Sequence, residues 1–119
     1  MSLPDQVWIV DDDKSIRWVL EKALHKAQIE TRSFSNAHDL LKDLMRELPQ
    51  VLITDIRMPG MDGFELLNKV QQEHPALPVI IMTAHSDLES AVSAFHGGAF
   101  EYLPKPFDIN EVVETVQRA

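Results

Sequence analysis

The sequence predicts a single α/β domain built on a largely parallel sheet, and three observations support this prediction. Five short β-favouring segments alternate with five segments of helical periodicity, the pattern of consecutive strand–helix–strand units. Several of the strand segments are continuous apolar runs, as expected of strands covered on both faces. The chain has 119 residues and is 45% hydrophobic, which suits one globular domain with its own core.

The predicted strands differ in apolar content, and the difference indicates their place in the sheet. Residues 7–10, 51–53 and 79–82 are apolar throughout, so we predict that they form central strands. Residues 32–34 and 100–103 are weaker and mixed, as strands at a sheet edge often are.

Helices are predicted where apolar residues recur three and four positions apart and so form one stripe that packs into the core. Capping residues are expected at Asn36, Asp87 and Asp108, and Gly97 with Gly98 follows a helix. In chain order the stripes are Ile16, Val19, Leu20, Ala23 and Leu24; Ala37, Leu40, Leu41, Leu44 and Leu48; Leu67 and Val70 within residues 64–73; Leu88, Ala91, Val92 and Phe95; and Ile109, Val112, Val113 and Val116.

Composition argues against several classes of function. The absence of cysteine excludes disulfides and thiolate metal sites. The net charge of −8 would repel a phosphate backbone, so we expect no nucleic-acid binding by this chain alone. The apolar runs are far shorter than the about 20 residues that cross a bilayer, and a signal-peptide pattern is missing, so we expect a cytoplasmic domain without a membrane role. Because residue 119 lies within the last helical pattern, we expect the natural protein to continue.

Polar residues with chemical potential follow the predicted strands, and four of them are acids: Asp11, Asp12 and Asp13 after the first strand and Asp55 at the end of the third. In a parallel sheet, ligands bind beyond the carboxyl ends of the strands. Carboxylates gathered there repel one another unless a cation joins them, and Mg²⁺ prefers such oxygen ligands. The later strands add further polar or small residues at this edge, namely Thr83, Ala84 and Lys105.

A carboxylate can also act as a nucleophile and form an acyl phosphate, a reaction that depends on placement and on neutralising the phosphoryl oxygens. We therefore predict that Asp55 is a phosphoacceptor, with Mg²⁺ and Lys105 supplying positive charge. Taken singly, the acids of residues 11–13 could be a helix cap, Asp55 a turn residue and Lys105 a surface lysine. Their joint occurrence after separate strands favours a site.

Four motifs together resemble the signatures of response-regulator receiver domains: Val-Asp-Asp-Asp at residues 10–13, Thr-Asp-Ile-Arg-Met-Pro-Gly-Met-Asp-Gly at 54–63, Met-Thr-Ala at 82–84 and Pro-Lys-Pro at 104–106. The resemblance covers residues 1–119. It implies a flavodoxin-like (βα)5 three-layer sandwich whose parallel five-stranded sheet has the order 2-1-3-4-5. It also implies a phosphoacceptor that takes its phosphoryl group from a sensor histidine kinase and is not a turnover enzyme.

The resemblance assigns roles in a Mg²⁺ site. Asp55 resembles the phosphorylated residue and a metal ligand, Asp12 the direct metal ligand, Asp11 a ligand acting through water, and Arg57 a ligand through its backbone carbonyl. The run of aspartates leaves open whether Asp11 and Asp12 or Asp12 and Asp13 form the metal pair. We favour the first pair because it directly follows the strand, and Asp13 then caps the first helix.

Further roles concern phosphoryl binding and the switch. Thr83 resembles the hydroxyl that bonds the phosphoryl oxygen, Ala84 the small neighbour that leaves room for it, and Lys105 the lysine that pairs with it. Tyr102 matches the aromatic switch position of the family, and the peptide bond between Lys105 and Pro106 resembles the family's cis peptide bond. We expect phosphorylation to recruit Thr83 and Lys105 and so shift a two-state equilibrium in the helix predicted around residues 88–95.

Three stretches narrow the resemblance to one group of receiver domains. Residues 15–20, 82–92 and 98–103 resemble the receivers of nitrogen-regulation proteins that activate sigma-54 RNA polymerase. This implies downstream ATPase and DNA-binding domains that are absent from this chain. The cognate kinase and any oligomer formed on phosphorylation stay open.

Two other functions stay open at this point. A Mg²⁺-dependent phosphatase of the dehalogenase type also forms an aspartyl phosphate, but it would want a second carboxylate where Arg57 stands. A stand-alone receiver or pseudo-receiver that only docks a protein partner is the other, and it is disfavoured because the acidic, hydroxyl and lysine positions are all retained. A glycine-rich P-loop is missing, so ATP is not the expected direct donor.

Overall fold

The structure, a computed structural model, describes residues 7–56, 60–61, 63–83, 101–104 and 109–119. Within these ranges, strands and helices alternate along the chain until β4, as the sequence predicts. The elements are β1 (Val7–Val10), α1 (Lys14–Lys26), β2 (Thr31–Phe34), α2 (Ala37–Leu44), β3 (Val51–Asp55), α3 (Gly63–Glu73), β4 (Val79–Thr83), β5 (Glu101–Pro104) and α4 (Ile109–Arg118).

The strands form one parallel sheet in the order β2-β1-β3-β4-β5, which confirms the predicted fold. The apolar strands β1, β3 and β4 are central, and the mixed strands β2 and β5 are the edges. Val10 is the register partner of both Phe34 and Thr54, and Asp55 is the partner of Met82. The carboxyl ends of the central strands therefore meet at one edge of the sheet.

Side chains of the central strands alternate between two apolar layers. Trp8 and Val10 belong to a cluster with the buried residues of α2 and α3, whereas Val7 and Ile9 belong to a cluster with those of α1 and α4. The alternation follows from the two-residue side-chain period of a strand. Because helices cover both faces, the strands need to be apolar throughout, and the fold has three layers.

Helix α1 begins and ends at recognisable signals. The Asp13 carboxylate accepts a hydrogen bond from the backbone N–H of Ser15 at 2.8 Å, which confirms the predicted N-cap. After Lys26 the chain turns at Gln28, whose φ is 63°, and the N–H of Ile29 returns to the carbonyl of Leu24 at 2.9 Å. The left-handed conformation of Gln28 ends the helix and lets the N–H of Ile29 satisfy a carbonyl of the last turn.

Helix α2 is shorter than its apolar stripe predicts. Asn36 is confirmed as the N-cap, since its side-chain oxygen accepts from the N–H of Asp39 at 2.9 Å. The helix ends at Leu44, however, and Leu48 is 51% exposed, so including Leu48 in the core stripe was wrong. Pro49 explains the difference, because proline has no N–H to donate to the carbonyl four residues earlier and its ring clashes with that carbonyl.

Arg32, in the edge strand β2, contacts both the sheet and α2 through its side chain. Its guanidinium carbon lies 5.0 Å from the centroid of the buried Trp8 ring, a cation–π contact. The same guanidinium lies 3.0 Å from a carboxylate oxygen of Asp43 and 2.5 Å from one of Glu47. One side chain thus joins the sheet to α2 and the residues that follow it.

The last predicted stripe is confirmed in α4, where Val112 and Val116 are buried. The stripe predicted around residues 88–95, the predicted N-caps Asp87 and Asp108, and Gly97 with Gly98 lie outside the described residues. In the part of the chain that the structure describes, no helix is both long and apolar enough to cross a membrane.

Candidate functional site

Three carboxylates converge where the central strands end. Asp11, Asp12 and Asp55 each offer an oxygen, and these oxygens all lie within 4.8 Å of one another. Asp11 follows β1 and Asp55 is the last residue of β3, and these adjacent strands are paired with Val10 opposite Thr54. The register therefore brings acids together that are more than 40 positions apart in the chain.

Burial differs sharply across this acidic cluster. Asp11 is fully buried, Asp55 is 9% exposed, and Asp12 is exposed. The cluster is thus closed on the Asp11 side and open to solvent on the Asp12 side. A ligand can reach the Asp55 carboxylate from that open side.

The electrostatics of the acidic cluster favour a cation. Two ionised carboxylates 4.8 Å apart repel by about 3 kcal/mol at an effective dielectric constant of about 20. A hard dication that binds oxygen ligands relieves this repulsion, and Mg²⁺ is typically held by one or two carboxylates together with waters and phosphate oxygens. The all-oxygen donor set of the cluster, with one exposed member, fits that requirement.

The turn after β1 separates Asp13 from the other two acids. The Asp11 N–H donates to the carbonyl of Phe34 at 3.2 Å, and an Asp11 carboxylate oxygen accepts from the Asp13 N–H at 2.9 Å. The Asp13 carboxylate in turn bonds the N–H of Ser15. Among the described residues, the acidic cluster therefore comprises Asp11, Asp12 and Asp55, whereas Asp13 serves α1.

The backbone around Asp55 is tightly packed against the start of α3. The hydroxyl of Thr54 donates to the Asp55 carbonyl at 3.0 Å, and the N–H of Gly63 donates to the carbonyl of Ile56 at 2.8 Å. A Cβ atom added at Gly63 would lie 2.8 Å from the Ile56 Cα and closer still to the Asp55 carbonyl oxygen. Only glycine allows this approach of helix to strand.

Arg17 is a second residue that contacts the backbone of the acidic cluster. Its Nη1 donates to the carbonyl oxygen of Asp11 at 2.5 Å. Neither this contact nor the role of Gly63 was predicted from the sequence. For Gly63, the available signal was a glycine at the start of a predicted helix. For Arg17, it was a basic residue early in the helix that follows the first acidic strand end. Neither signal specifies a contact.

The remaining predicted site residues lie in β4, β5 and the segments that follow them. Thr83 is the last residue of β4, where its register partner is Pro104. Tyr102 in β5 is half-buried, has Ile81 as its register partner and packs against the cluster containing Trp8. Four other predicted residues lie outside the described part of the chain: Arg57, Ala84, Lys105 and Pro106.

Comparison with known proteins gives a consistent result. Residues 7–117 match the model of the response regulator receiver domain. The DNA-binding transcriptional regulator NtrC of Escherichia coli strain K12 is 61% identical over 113 residues, which are 95% of this chain but 24% of that protein. This chain thus spans about a quarter of the length of the curated NtrC relatives it matches.

Solved structures agree with the family match. The apo receiver domain of nitrogen regulatory protein C superposes with a TM-score of 0.86 at 61% identity, covering 94% of this chain and 90% of that one. The receiver domain of NtrX from Brucella abortus gives a TM-score of 0.91 at 32% identity, with 94% and 95% covered. The chain therefore belongs to the response regulator receiver domain family.

Proposed function

We propose that this domain accepts a phosphoryl group on the Asp55 carboxylate from the phosphohistidine of a sensor histidine kinase, in a Mg²⁺-dependent reaction. The observation that supports this most directly is the convergence of the Asp11, Asp12 and Asp55 oxygens within 4.8 Å at the carboxyl edge of the sheet. Membership of the receiver family supports the same function.

The transfer requires a nucleophile that is held in place and reachable from one side. An Asp55 carboxylate oxygen attacks the phosphorus in line, and the bond from phosphorus to the donor imidazole nitrogen breaks, its electron pair returning to that nitrogen. The product on this chain is an aspartyl phosphate. Because a carboxylate already carries negative charge, Asp55 needs no general base, and the work of the site is positioning and charge neutralisation.

Several groups would hold Mg²⁺: the Asp12 and Asp55 carboxylates directly, Asp11 through water, and the backbone carbonyl of Arg57. When bound, the ion would offset the negative charge of the acids and of the phosphoryl oxygens. The choice of Asp11 with Asp12 as the acidic pair is supported by the turn after β1, where the Asp13 carboxylate caps α1 instead.

The phosphoryl group would be recognised from β4 and β5. We assign the hydroxyl of Thr83 and the ammonium of Lys105 to its oxygens, and small Ala84 to the space beside it. The register supports Thr83, because Asp55 is opposite Met82 and Thr83 is the next residue along the adjacent strand. Pro106 would orient Lys105 through its peptide bond.

The switch would reach the surface at Tyr102. This ring is half-buried in an edge strand and contacts the core, so it can respond to a change at the end of β4. The response would extend to the helix predicted around residues 88–95.

The output would lie beyond this chain. Because the NtrC relatives are about four times as long, we propose that the domain controls attached ATPase and DNA-binding domains of a cytoplasmic activator of sigma-54-dependent transcription, in nitrogen regulation. With a net charge of −8, the receiver itself would not contribute DNA contacts.

Acetyl phosphate provides the test of the phosphoacceptor role. The protein is incubated with it in the presence and absence of Mg²⁺, and the added mass is located by peptide mass spectrometry. We expect one phosphoryl group on Asp55 that requires Mg²⁺ and is lost in Asp55→Asn. Asp13→Asn is the matched control, because asparagine is an equally good N-cap and Asp13 lies outside the acidic cluster.

Labelling at another residue, or equal labelling without Mg²⁺, would contradict the proposal. The same experiment separates a switch from an aspartyl-phosphate phosphatase. A receiver retains about one phosphoryl group per chain and assists only its own dephosphorylation, whereas a phosphatase of the dehalogenase type would process many substrate molecules.

A further inference from the structure

We propose that Arg17 is a positioning residue for the Mg²⁺ site, because its guanidinium fixes the peptide plane from which Asp12 projects. The inference rests on the proposed function, since it concerns the metal that serves phosphoryl transfer. It goes beyond that function by assigning a role to a basic side chain of α1 that is not itself a ligand.

The contact is specific and made through the backbone. Arg17 is half-buried, and its Nη1 donates to the Asp11 carbonyl oxygen at 2.5 Å. The N–H of the same residue donates to the carbonyl of Asp13 at 3.2 Å, the first backbone bond of α1. Arg17 thus bonds the carbonyl oxygens of Asp11 and Asp13, the two residues that flank Asp12 in the chain.

The Asp11 carbonyl belongs to the planar peptide unit that joins Asp11 to Asp12. Fixing that plane sets the direction in which the Asp12 Cα and its carboxylate leave the strand. Asp11 is buried and has a further hydrogen bond to the Asp13 N–H, but Asp12 is exposed and gains little orientation from packing. The direction of the Asp12 carboxylate therefore depends on the backbone that Arg17 holds.

Arginine suits this task better than lysine. Its guanidinium is planar and weakly hydrated, so it tolerates partial burial, and its bond to a carbonyl is charge-assisted. Mg²⁺ demands near-ideal octahedral geometry, so a ligand that loses its orientation weakens binding. Removing groups that orient metal ligands typically costs about 10-fold to 100-fold in affinity.

The charge of Arg17 and its positioning role predict opposite results, which makes the proposal testable. A positive charge near the acidic cluster repels Mg²⁺, so a purely electrostatic role predicts tighter binding when the charge is removed. A positioning role predicts weaker binding. The experiment is a titration of the metal-free domain with MgCl₂, followed by calorimetry and by amide NMR shifts of the acidic cluster, for wild type, Arg17→Met and Arg17→Lys.

Lys22→Met is the matched control. It removes one positive charge from the same helix, five residues and about 7.5 Å further along the axis. Lys22 lies over the Trp18 ring, with its Nζ 5.4 Å from the ring centroid, and makes no described contact with the acidic cluster. We expect its Mg²⁺ affinity to stay within about twofold of wild type. Lys22 is exposed and lies eight residues, or about 12 Å along the axis, from the first residue of α1, which exceeds the Debye length of about 10 Å at 0.1 M salt.

For Arg17→Met we expect Mg²⁺ binding about tenfold weaker, equivalent to about 1.4 kcal/mol, and a changed Asp11 carbonyl ¹³C shift in the metal-free protein. Affinity within about threefold of wild type, or tighter, would overturn the proposal. If Arg17→Met does not fold, Arg17→Lys decides. It keeps the charge, so a purely electrostatic role predicts wild-type affinity. A positioning role predicts binding weakened by more than about threefold, because the strongly hydrated ammonium of lysine replaces the guanidinium that bonds the Asp11 carbonyl.

Failure of the proposed function has a different signature. In that case the wild-type protein would show no Mg²⁺-dependent shifts at Asp11, Asp12 or Asp55, whatever residue stands at position 17. If wild type binds Mg²⁺ and Arg17→Met binds it equally well, the metal site stands and the positioning role alone is refuted.

Discussion

Replacing Gly63 with alanine would place a methyl group against the backbone that carries Asp55. The new Cβ would lie 2.8 Å from the Ile56 Cα, 3.1 Å from the Asp55 carbonyl carbon and closer still to its oxygen. All of these atoms belong to the main chain, so no side-chain rotation can relieve the overlap. Either α3 or the end of β3 must move.

The expected cost follows from two opposing effects. Overpacking of a well-packed site typically costs about 1–3 kcal/mol, and contacts with backbone atoms at these distances place Gly63→Ala at the upper end. Alanine recovers up to about 1 kcal/mol of helix propensity. We therefore expect the free energy of unfolding to fall by about 2 kcal/mol, which corresponds to a melting temperature lower by about 8 °C for a domain of this size.

Urea unfolding followed by tryptophan fluorescence measures this change, since Trp8 is 1% exposed in the native state. Gly60→Ala is the informative control. Gly60 has open space where a Cβ would lie, but its φ of 82° costs an alanine about 1–2 kcal/mol. The overlap of the Cβ added at Gly63 with main-chain atoms predicts that Gly63→Ala, unlike Gly60→Ala, perturbs NMR signals of Asp55 and Ile56. A Gly63→Ala protein as stable as wild type, with unchanged Asp55 signals, would refute it.

Three further predictions concern the proposed Mg²⁺ site, a helix cap and the sheet edge. Asp12→Asn should weaken Mg²⁺ binding at least about tenfold in a MgCl₂ titration while Asp13→Asn does not, and equal affinities would place Asp12 outside the site. Asn36→Ala should lower the free energy of unfolding by about 1 kcal/mol in urea because the Asp39 N–H loses its acceptor. Asn36→Ser should restore most of that loss, and an alanine variant of wild-type stability would contradict the capping role. Arg32→Met should cost about 1 kcal/mol by the same assay, through the lost Trp8 contact and ion pairs. Arg46 is the control, because its side chain is 79% exposed, and Arg46→Met should lower the free energy of unfolding by less than about 0.5 kcal/mol. Similar effects at both arginines would contradict the stabilising role of Arg32 at the sheet edge.

Much of the fold could be predicted because its signals are local. A strand covered on both faces must be apolar throughout, so β1, β3 and β4 can each be predicted from a short run of apolar residues. The predicted α2 was too long, since Leu48 continues the helical spacing while Pro49 prevents the helix from continuing. The spacing of apolar residues predicts which of them can share one face of a helix, but it does not predict where the backbone hydrogen bonds of that helix end.

The sequence by itself determined that acids follow the central strands and that the strands are parallel, which together imply a common acidic edge. Only the tertiary structure decided which acids share the site. Asp11 and Asp13 are chemically identical and two residues apart, yet one faces Asp55 and the other caps α1. That choice depends on the direction of two peptide planes and on the pairing of β1 with β3.

The same reason explains why Arg17 and Gly63 were not predicted. Their contacts are with backbone atoms of Asp11, Asp55 and Ile56, and backbone atoms are the same for every residue type. No side-chain pattern distinguishes a carbonyl that accepts from Arg17 from one that does not. Such contacts exist only once the strands and helices have packed, because packing sets the distance between each side chain and the main chain it meets.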